Sequence, residues 1–510
     1  HSMNLTLSSL LSAHDPAAPA IGAPGRDWLS FGGLSVLSAR VAVDLRRFGI
    51  GAGDRVAIVL PNGAEMATAF LTVAQAAVTA PLNPAYQREE FDFYLADLRA
   101  RAVILPDGHD GPALDAARAI GLTILRLVPE PGAPAGSFRL MGSECDVPAP
   151  AGTPGASDVA LILHTSGTTS RPKIVPLTQA NLAMSARNIG ASLHLSPADR
   201  CLNVMPLFHI HGLVAAVTAS LAAGASVWCA PGFDALKFFG WMNEARPTWY
   251  TAVPTMHQAI LARAPRNADV IAANPLRFLR SSSASLPAPV MLELARTFGA
   301  PVIEAYGMTE AAHQMTSNPL PPRAQKPGSV GIAAGPEVRI AHEVENRLVE
   351  GTGEVVISGP NVTPGYEGNA EANAKSFFEA EGRRWFRTGD QGALDAEGYL
   401  HLTGRLKEII NRGGEKISPL EVDGVLLEHP AVQQVVTFAI PHPKLGEEVG
   451  AAVVLREGRE ASERDIRAFA AARLADFKVP RHVVILPEIP KGATGKLQRI
   501  GLAAKLGLGG

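Results

Sequence analysis

Short apolar runs alternate with helical patterns through most of the first 300 residues, and this rhythm restricts the fold more than any other feature of the chain. Arg55-Val-Ala-Ile-Val-Leu60, Ala102-Val-Ile-Leu105 and Val159-Ala-Leu-Ile-Leu-His164 read as buried strands. Val36, Leu37, Val41, Leu45 and Phe48 keep helical spacing, and 65–78 and 89–98 read as further helices. Such alternation predicts parallel sheets covered by helices. A Pro/Gly/Ala-rich segment at 130–157 reads as a surface connection. The rhythm then resumes, with a helix from Thr178 and strands at 202–205, 226–229, 248–253, 278–281 and 301–303. Helices are expected between them near 234–244, 255–264 and 288–298, and an apolar helix should run from about Gly212 to Ala223.

From about residue 337 the texture changes to short strands and glycine turns, which predicts a small β-rich subdomain. Beyond Arg405 a separate α+β unit is expected. It has helices at 418–428 and 462–474 and strands at 432–440, 448–455 and 482–486. The predicted class is therefore α/β: a large N-terminal domain (3–404) of helix-covered sheets plus a β-rich subdomain, followed by a small C-terminal α+β domain (405–510).

The bulk properties bound the function. At 510 residues the chain can bury more than one core. A net charge of -2 and the lack of a basic tract make nucleic acid and acidic membrane poor partners. No apolar run reaches membrane-spanning length. The cysteines, Cys145, Cys201 and Cys229, match no metal spacing and read as reduced thiols of a cytoplasmic protein.

Chemistry concentrates in five stretches. Thr165-Ser-Gly-Thr-Thr-Ser-Arg-Pro-Lys173 follows a buried strand and packs hydroxyls, a glycine and two cations into nine residues. Backbone N–H groups and hydroxyls in such a turn can wrap phosphate oxygens, with Lys173 or Arg171 offsetting their charge. A kinase-type P-loop is excluded, because Pro172 precedes Lys173 and Ile174 follows it. Alone, the stretch reads equally well as a polar surface turn. Glu304-Ala-Tyr-Gly-Met-Thr-Glu310 follows a strand end, where ligands of parallel sheets bind. Asp390 sits in a glycine-bracketed turn, where it can accept two ribose hydroxyls or simply close its own turn. Asn411-Arg-Gly-Gly-Glu-Lys-Ile417 and Pro490-Lys-Gly-Ala-Thr-Gly-Lys496 are glycine-framed loops carrying cations.

The order and spacing of these stretches over 165–499 resemble the acyl-adenylate-forming enzymes, the family of acyl-CoA synthetases, firefly luciferase and peptide-synthetase adenylation domains. The resemblance implies ATP, Mg2+ and CoA as cofactor and substrates, and a small-molecule carboxylic acid as partner. It implies that Thr165, Ser166, Gly167, Thr168, Thr169 and Lys173 wrap the phosphates. Ala284, Ser285, Glu304, Ala305 and Gly307 would cradle the nucleotide, Tyr306 would stack the adenine, and Thr309 would contact the α-phosphate. Glu310 would bind Mg2+, and Asp390 with Arg405 would hold the ribose. Lys407 would be the hinge of a mobile C-terminal domain, Gly413 and Gly414 would line the CoA tunnel, and Lys496 would act in adenylation. His209 lies where the family often has a histidine that shifts between half-reactions; a structural strand-end histidine is the alternative.

The acyl pocket departs from the fatty-acid type. His211, His313 and the run Ser281-Ser-Ser-Ala-Ser-Leu286 supply imidazoles and hydroxyls, which suit a short acid with a second carboxylate. The serine at 170, the Phe208-His-Ile-His-Gly segment and the 317–321 run are similar to those of the oxalyl-CoA synthetase group. In that group two histidines and a serine, here His211, His313 and Ser283, hold the second carboxylate. Ile174 departs from that group, where glycine is usual. Malonyl-CoA synthetases are the nearest competitor, but tend to carry arginine where this chain has Ala305. A peptide-synthetase domain would need a carrier protein, which is not expected here. A nucleotide-binding module without turnover is the alternative of a different class.

Overall fold

The structure is a computed structural model that describes residues 5–165, 171–491 and 497–509. Among these residues the strands form four sheets. A seven-stranded sheet runs in the order 138–141, 123–129, 102–106, 55–58, 78–81, 159–164 and 174–178. A nine-stranded sheet contains the strands at 200–203, 226–229, 249–252, 278–281, 302–308 and 313–317. Their central pairings are parallel, as the alternation of strands and helices requires. One core, rich in Leu, Ala, Val and Ile, draws on both sheets, and each sheet carries a further core of its own. A third sheet, of 337–341, 353–358, 377–380, 383–394 and 400–405, is the expected β-rich subdomain. The fourth, with strands from 410 to 485, belongs to the C-terminal part, whose two cores are built only from residues 410 and beyond. This is the α/β architecture read from the sequence.

Four details differ from the sequence-based expectation. Val78–Pro81 is a strand, not the end of a helix, because Val78 and Thr79 pair in parallel with Arg55 and Val56 while the helix stops at Ala74. The 130–157 connection contains the strand Phe138–Met141, whose Phe138 and Leu140 are buried while Arg139 and Met141 face outward. The strand expected at 202–205 is Arg200–Asn203, ended by a turn in which the Asn203 side chain accepts from the Met205 N–H at 3.1 Å. The strand expected at 301–303 continues to Met308. It pairs in parallel with 278–281 as far as Glu304, then turns its other edge to His313–Ser317 in an antiparallel pair. The Glu304–Glu310 motif is therefore held by a hairpin and not by a loose loop.

Candidate active site

The Thr165–Lys173 stretch spans the tip of the antiparallel pair Val159–His164 and Ile174–Thr178. The Thr165 N–H donates to the Lys173 carbonyl at 2.9 Å, and the Lys173 N–H donates to Thr165 Oγ1 at 2.9 Å. These bonds close the base of the loop. Ser166, Gly167, Thr168, Thr169 and Ser170 lie outside the described residues, as does Lys496. Thr178 caps the helix Gln179–Ser192, so the strand Ile174–Thr178 separates that helix's N-terminus from Lys173. Lys173 Nζ lies 5.3 Å from the centre of the Tyr366 ring, and the Tyr366 hydroxyl donates to Glu310 Oε2 at 2.7 Å. Burial, then the Glu310 carboxylate beside it, pushes the Tyr366 phenol well above its ordinary range. The sequence reading missed Tyr366. Its only signal is an aromatic in a Pro364-Gly-Tyr-Glu turn.

Tyr306 and Asp390 are brought together: the Tyr306 hydroxyl donates to Asp390 Oδ2. Arg405 lies directly across the antiparallel pair from Asp390, with Nε at 3.9 Å from Oδ1. The carboxylate opposite it raises the Arg405 pKa. Tyr306, Asp390 and Arg405, to which the resemblance assigns the adenine and ribose, are thus neighbours. Gly307 has to be glycine, since a Cβ there would stand 2.3 Å from the His313 carbonyl oxygen. Thr309 and Glu310 form a single 3-10 turn that leads into Ala312 and His313. Ala305 is buried on the same strand.

Glu304 supports the neighbouring loop. Its Oε2 accepts from the Leu286 N–H at 2.9 Å, and Oε1 has no partner among the described residues. Burial pushes its pKa from 4.5 to about 8, against the smaller opposing effect of the Leu286 N–H. Ala284 and Ser285 lie on the loop so held. The folded protein therefore keeps a proton that the unfolded chain releases above about pH 4.5. The stability tied to Glu304 is fully present below that pH and is lost as pH rises to about 8. Glu304→Gln is expected to flatten this decline, whose steepest slope is about 1.4 kcal/mol per pH unit. Denaturant titrations of both proteins between those limits check it, and parallel profiles would refute the assignment.

His211, His313 and Ser283 also converge. His211 Nδ1 lies 2.9 Å from Ser283 Oγ, and the two imidazoles stack at 5.0 Å between ring centres with 21° between planes. Both rings are buried. Ser283 and His313 have φ of 76° and 99°, and Ala312 between the motif and His313 has 51°. Non-glycine residues hold such conformations at a cost of order 1–3 kcal/mol each, and they cluster at functional sites. His211 opens a π-helix, His211–Thr218, where an ordinary helix was expected, and π turns also gather at functional sites. His209, two residues earlier, accepts the His211 N–H on Nδ1 at 3.4 Å.

Beneath the histidines lies Arg280, fully buried on the Phe278–Ser281 strand. Its Nη2 donates to His313 Nε2 at 3.0 Å and to Gln314 Oε1 at 3.3 Å. Its Nη1 is 3.4 Å from Thr251 Oγ1, which in turn lies 2.7 Å from His211 Nε2. The sequence reading passed over Arg280 as part of a strand. The legible signal was a lone charge in a strand otherwise buried on both faces.

The hinge and tunnel residues lie further along. Lys407 is exposed in the turn after Arg405. Gly413 and Gly414, with φ of 57° and 93°, make the two-residue turn of the hairpin Ile410–Arg412 and Glu415–Ile417. Arg499 spans Asp423 at 2.7 Å and Glu408 at 3.6 Å, tying the segment after Lys407 to the C-terminal part. That part also docks on the large one, where Gln258 Nε2 donates to the Gln433 carbonyl at 2.7 Å.

Known proteins resemble the chain over nearly its whole length. Residues 12–367 match the family described as AMP-binding enzyme, and residues 421–496 match the AMP-binding enzyme C-terminal domain. The chain belongs to this acyl-adenylate-forming family, and within it to the AMP-forming CoA ligases. It is 46% identical to a probable CoA ligase of Humulus lupulus, over 97% of this chain and 95% of that one. It is 47% identical to an oxalate–CoA ligase of Arabidopsis thaliana, over 97% of each chain. The crystal structure of ATP-bound MatB from Rhodopseudomonas palustris superposes with a TM-score of 0.85 at 30% identity, covering 97% of both chains. Among the described residues no helix is long and apolar enough to cross a membrane.

Proposed function

We propose that the chain is an oxalate–CoA ligase: it joins oxalate to AMP at the expense of ATP, then transfers the oxalyl group to CoA. The observation that carries the reading is the convergence of the buried His211 and His313 with the half-buried Ser283 beside the nucleotide motif. A fatty-acid site would line this position with apolar side chains, whereas these groups donate hydrogen bonds to a second carboxylate. The 47% identity to a ligase of that name supports the same acid.

In the first step a carboxylate oxygen attacks the α-phosphorus and pyrophosphate leaves. Lys173 and the loop it closes hold the phosphates, Tyr306 and Asp390 hold the nucleoside, and Lys496 offsets charge between the carboxylate and α-phosphate. Glu310 would hold Mg2+. A single carboxylate suits that ion, which commonly keeps waters and binds substrate phosphates. When bound, the ion neutralises phosphate charge. In the second step the CoA thiolate attacks the oxalyl carbonyl carbon and the C–O bond to AMP breaks. The C-terminal domain, from residue 405, turns about Lys407 between the steps and brings Gly413 and Gly414 to the pantetheine. His209 moves aside as the thiol arrives.

AMP release from ATP, dependent on CoA and Mg2+, should be highest with oxalate in a series that includes malonate, acetate, a medium-chain fatty acid and a cinnamate. Preference for a fatty or aromatic acid would retain the two-step mechanism and overturn the choice of acid.

A further inference from the structure

Arg280 is a buried cation without an anion. Its guanidinium contacts Thr251, His211, His313 and Gln314, none of them an acidic side chain, and among the described residues its Nε has no partner. Among the described residues no carboxylate pairs with it, and burial lowers its pKa to about 9. A buried charge left in this state is strongly unfavourable unless something else compensates it. Its position says what that is. Both imidazoles turn Nε2 toward Arg280, His313 at 3.0 Å and His211 at 3.5 Å. Their Nδ1 atoms face the other way. That of His211 meets Ser283, and that of His313 lies 2.9 Å from where a Cβ on Gly307 would stand. A guanidinium can only donate. His313 Nε2 therefore accepts, which places the ring proton on Nδ1 and leaves the imidazole neutral.

We infer that Arg280 is a specificity-determining, positioning residue: it sets the tautomer of His313 and supplies the positive charge that makes this pocket select a doubly charged acid. The histidines and Ser283 donate the hydrogen bonds, and the guanidinium behind them supplies the field. In that arrangement the second carboxylate of the substrate is the missing counter-ion. The pocket discriminates by charge as well as by hydrogen bonding, and an acid whose second group is neutral leaves Arg280 uncompensated. This inference rests on the oxalate reading above.

The test compares oxalate with oxamate, in which an amide replaces the second carboxylate, by kcat/KM in the full-length enzyme. Two variants alter the charge by different routes. Arg280→Gln removes it. Gln314→Glu keeps Arg280 and gives it an internal counter-ion at the atom that already accepts its hydrogen bond. Each is expected to raise KM for oxalate roughly 30-fold or more while changing KM for ATP little. The oxalate-to-oxamate preference should collapse toward one in both, and Arg280→Lys should restore part of it in place of Gln. If Arg280→Gln fails to fold, Gln314→Glu decides alone. An unchanged preference ratio, with activity on both acids falling in parallel, would make Arg280 a purely structural residue and overturn the inference. A wild-type enzyme that prefers a singly charged acid would instead overturn the oxalate reading itself, and this inference with it.

Discussion

Replacing Lys496 by alanine is expected to slow pyrophosphate release from ATP and oxalate by roughly 100- to 1000-fold, the usual effect of removing one preorganised donor from a developing charge. The same variant should convert synthetic oxalyl-AMP and CoA to oxalyl-CoA at a rate close to wild type. The asymmetry follows from the proposed division of labour. Lys496 serves only while the carboxylate and α-phosphate approach each other, two anions whose repulsion a nearby ammonium offsets. Thioester formation then takes place after the domain has turned about Lys407 and the lysine has left. Equal slowing of both steps would mean that the substitution disturbs the nucleotide site as a whole, and unchanged adenylation would remove Lys496 from the mechanism.

His313→Ala is expected to raise KM for oxalate roughly 10- to 100-fold, the cost of a hydrogen bond to a charged group lost in a buried site. KM for ATP should stay within a few-fold, because Tyr306, Asp390 and Arg405 are held by bonds that do not involve this ring. The change also strips Arg280 of the acceptor at 3.0 Å, so it acts on binding and on the charge behind it together. Steady-state kinetics with each substrate varied in turn separates the two constants. An unchanged KM for oxalate would return the histidine pair to a structural role.

Much of this architecture is legible in the sequence because it follows from periodicity. The apolar run 159–164 and the helix capped by Thr178 lie where the pattern places them, and so do the hairpins after Trp385 and the alternating strands and helices of the C-terminal part. Much of what escaped depends on strand pairing, which the local apolar pattern does not announce. Val78–Pro81 looks helical from its neighbours and is a strand because Arg55–Ile58 lies beside it. Val302–Met308 outruns its apolar stretch because the strand after Ala312 turns back to pair with it. The same holds at the site. His211, Ser283 and His313 could be grouped from the sequence only through a family resemblance, since their convergence depends on the parallel order of the 249–252, 278–281 and 302–308 strands. Arg280 and Thr251 lie side by side in that order, at paired positions of adjacent strands, and so complete the cluster from below. Tyr366 reaches Glu310 from a turn 56 residues away, a contact no local pattern announces.

In the proposed mechanism an oxygen of oxalate becomes bonded to the α-phosphorus of ATP. The most direct measurement is mass spectrometry of the AMP formed from ATP, CoA and oxalate fully labelled with oxygen-18. One labelled oxygen is expected in each AMP, because the attacking carboxylate oxygen stays on phosphorus when the thiolate breaks the C–O bond. Unlabelled AMP from oxalate, with label transferred from a different carboxylic acid under the same conditions, would contradict it.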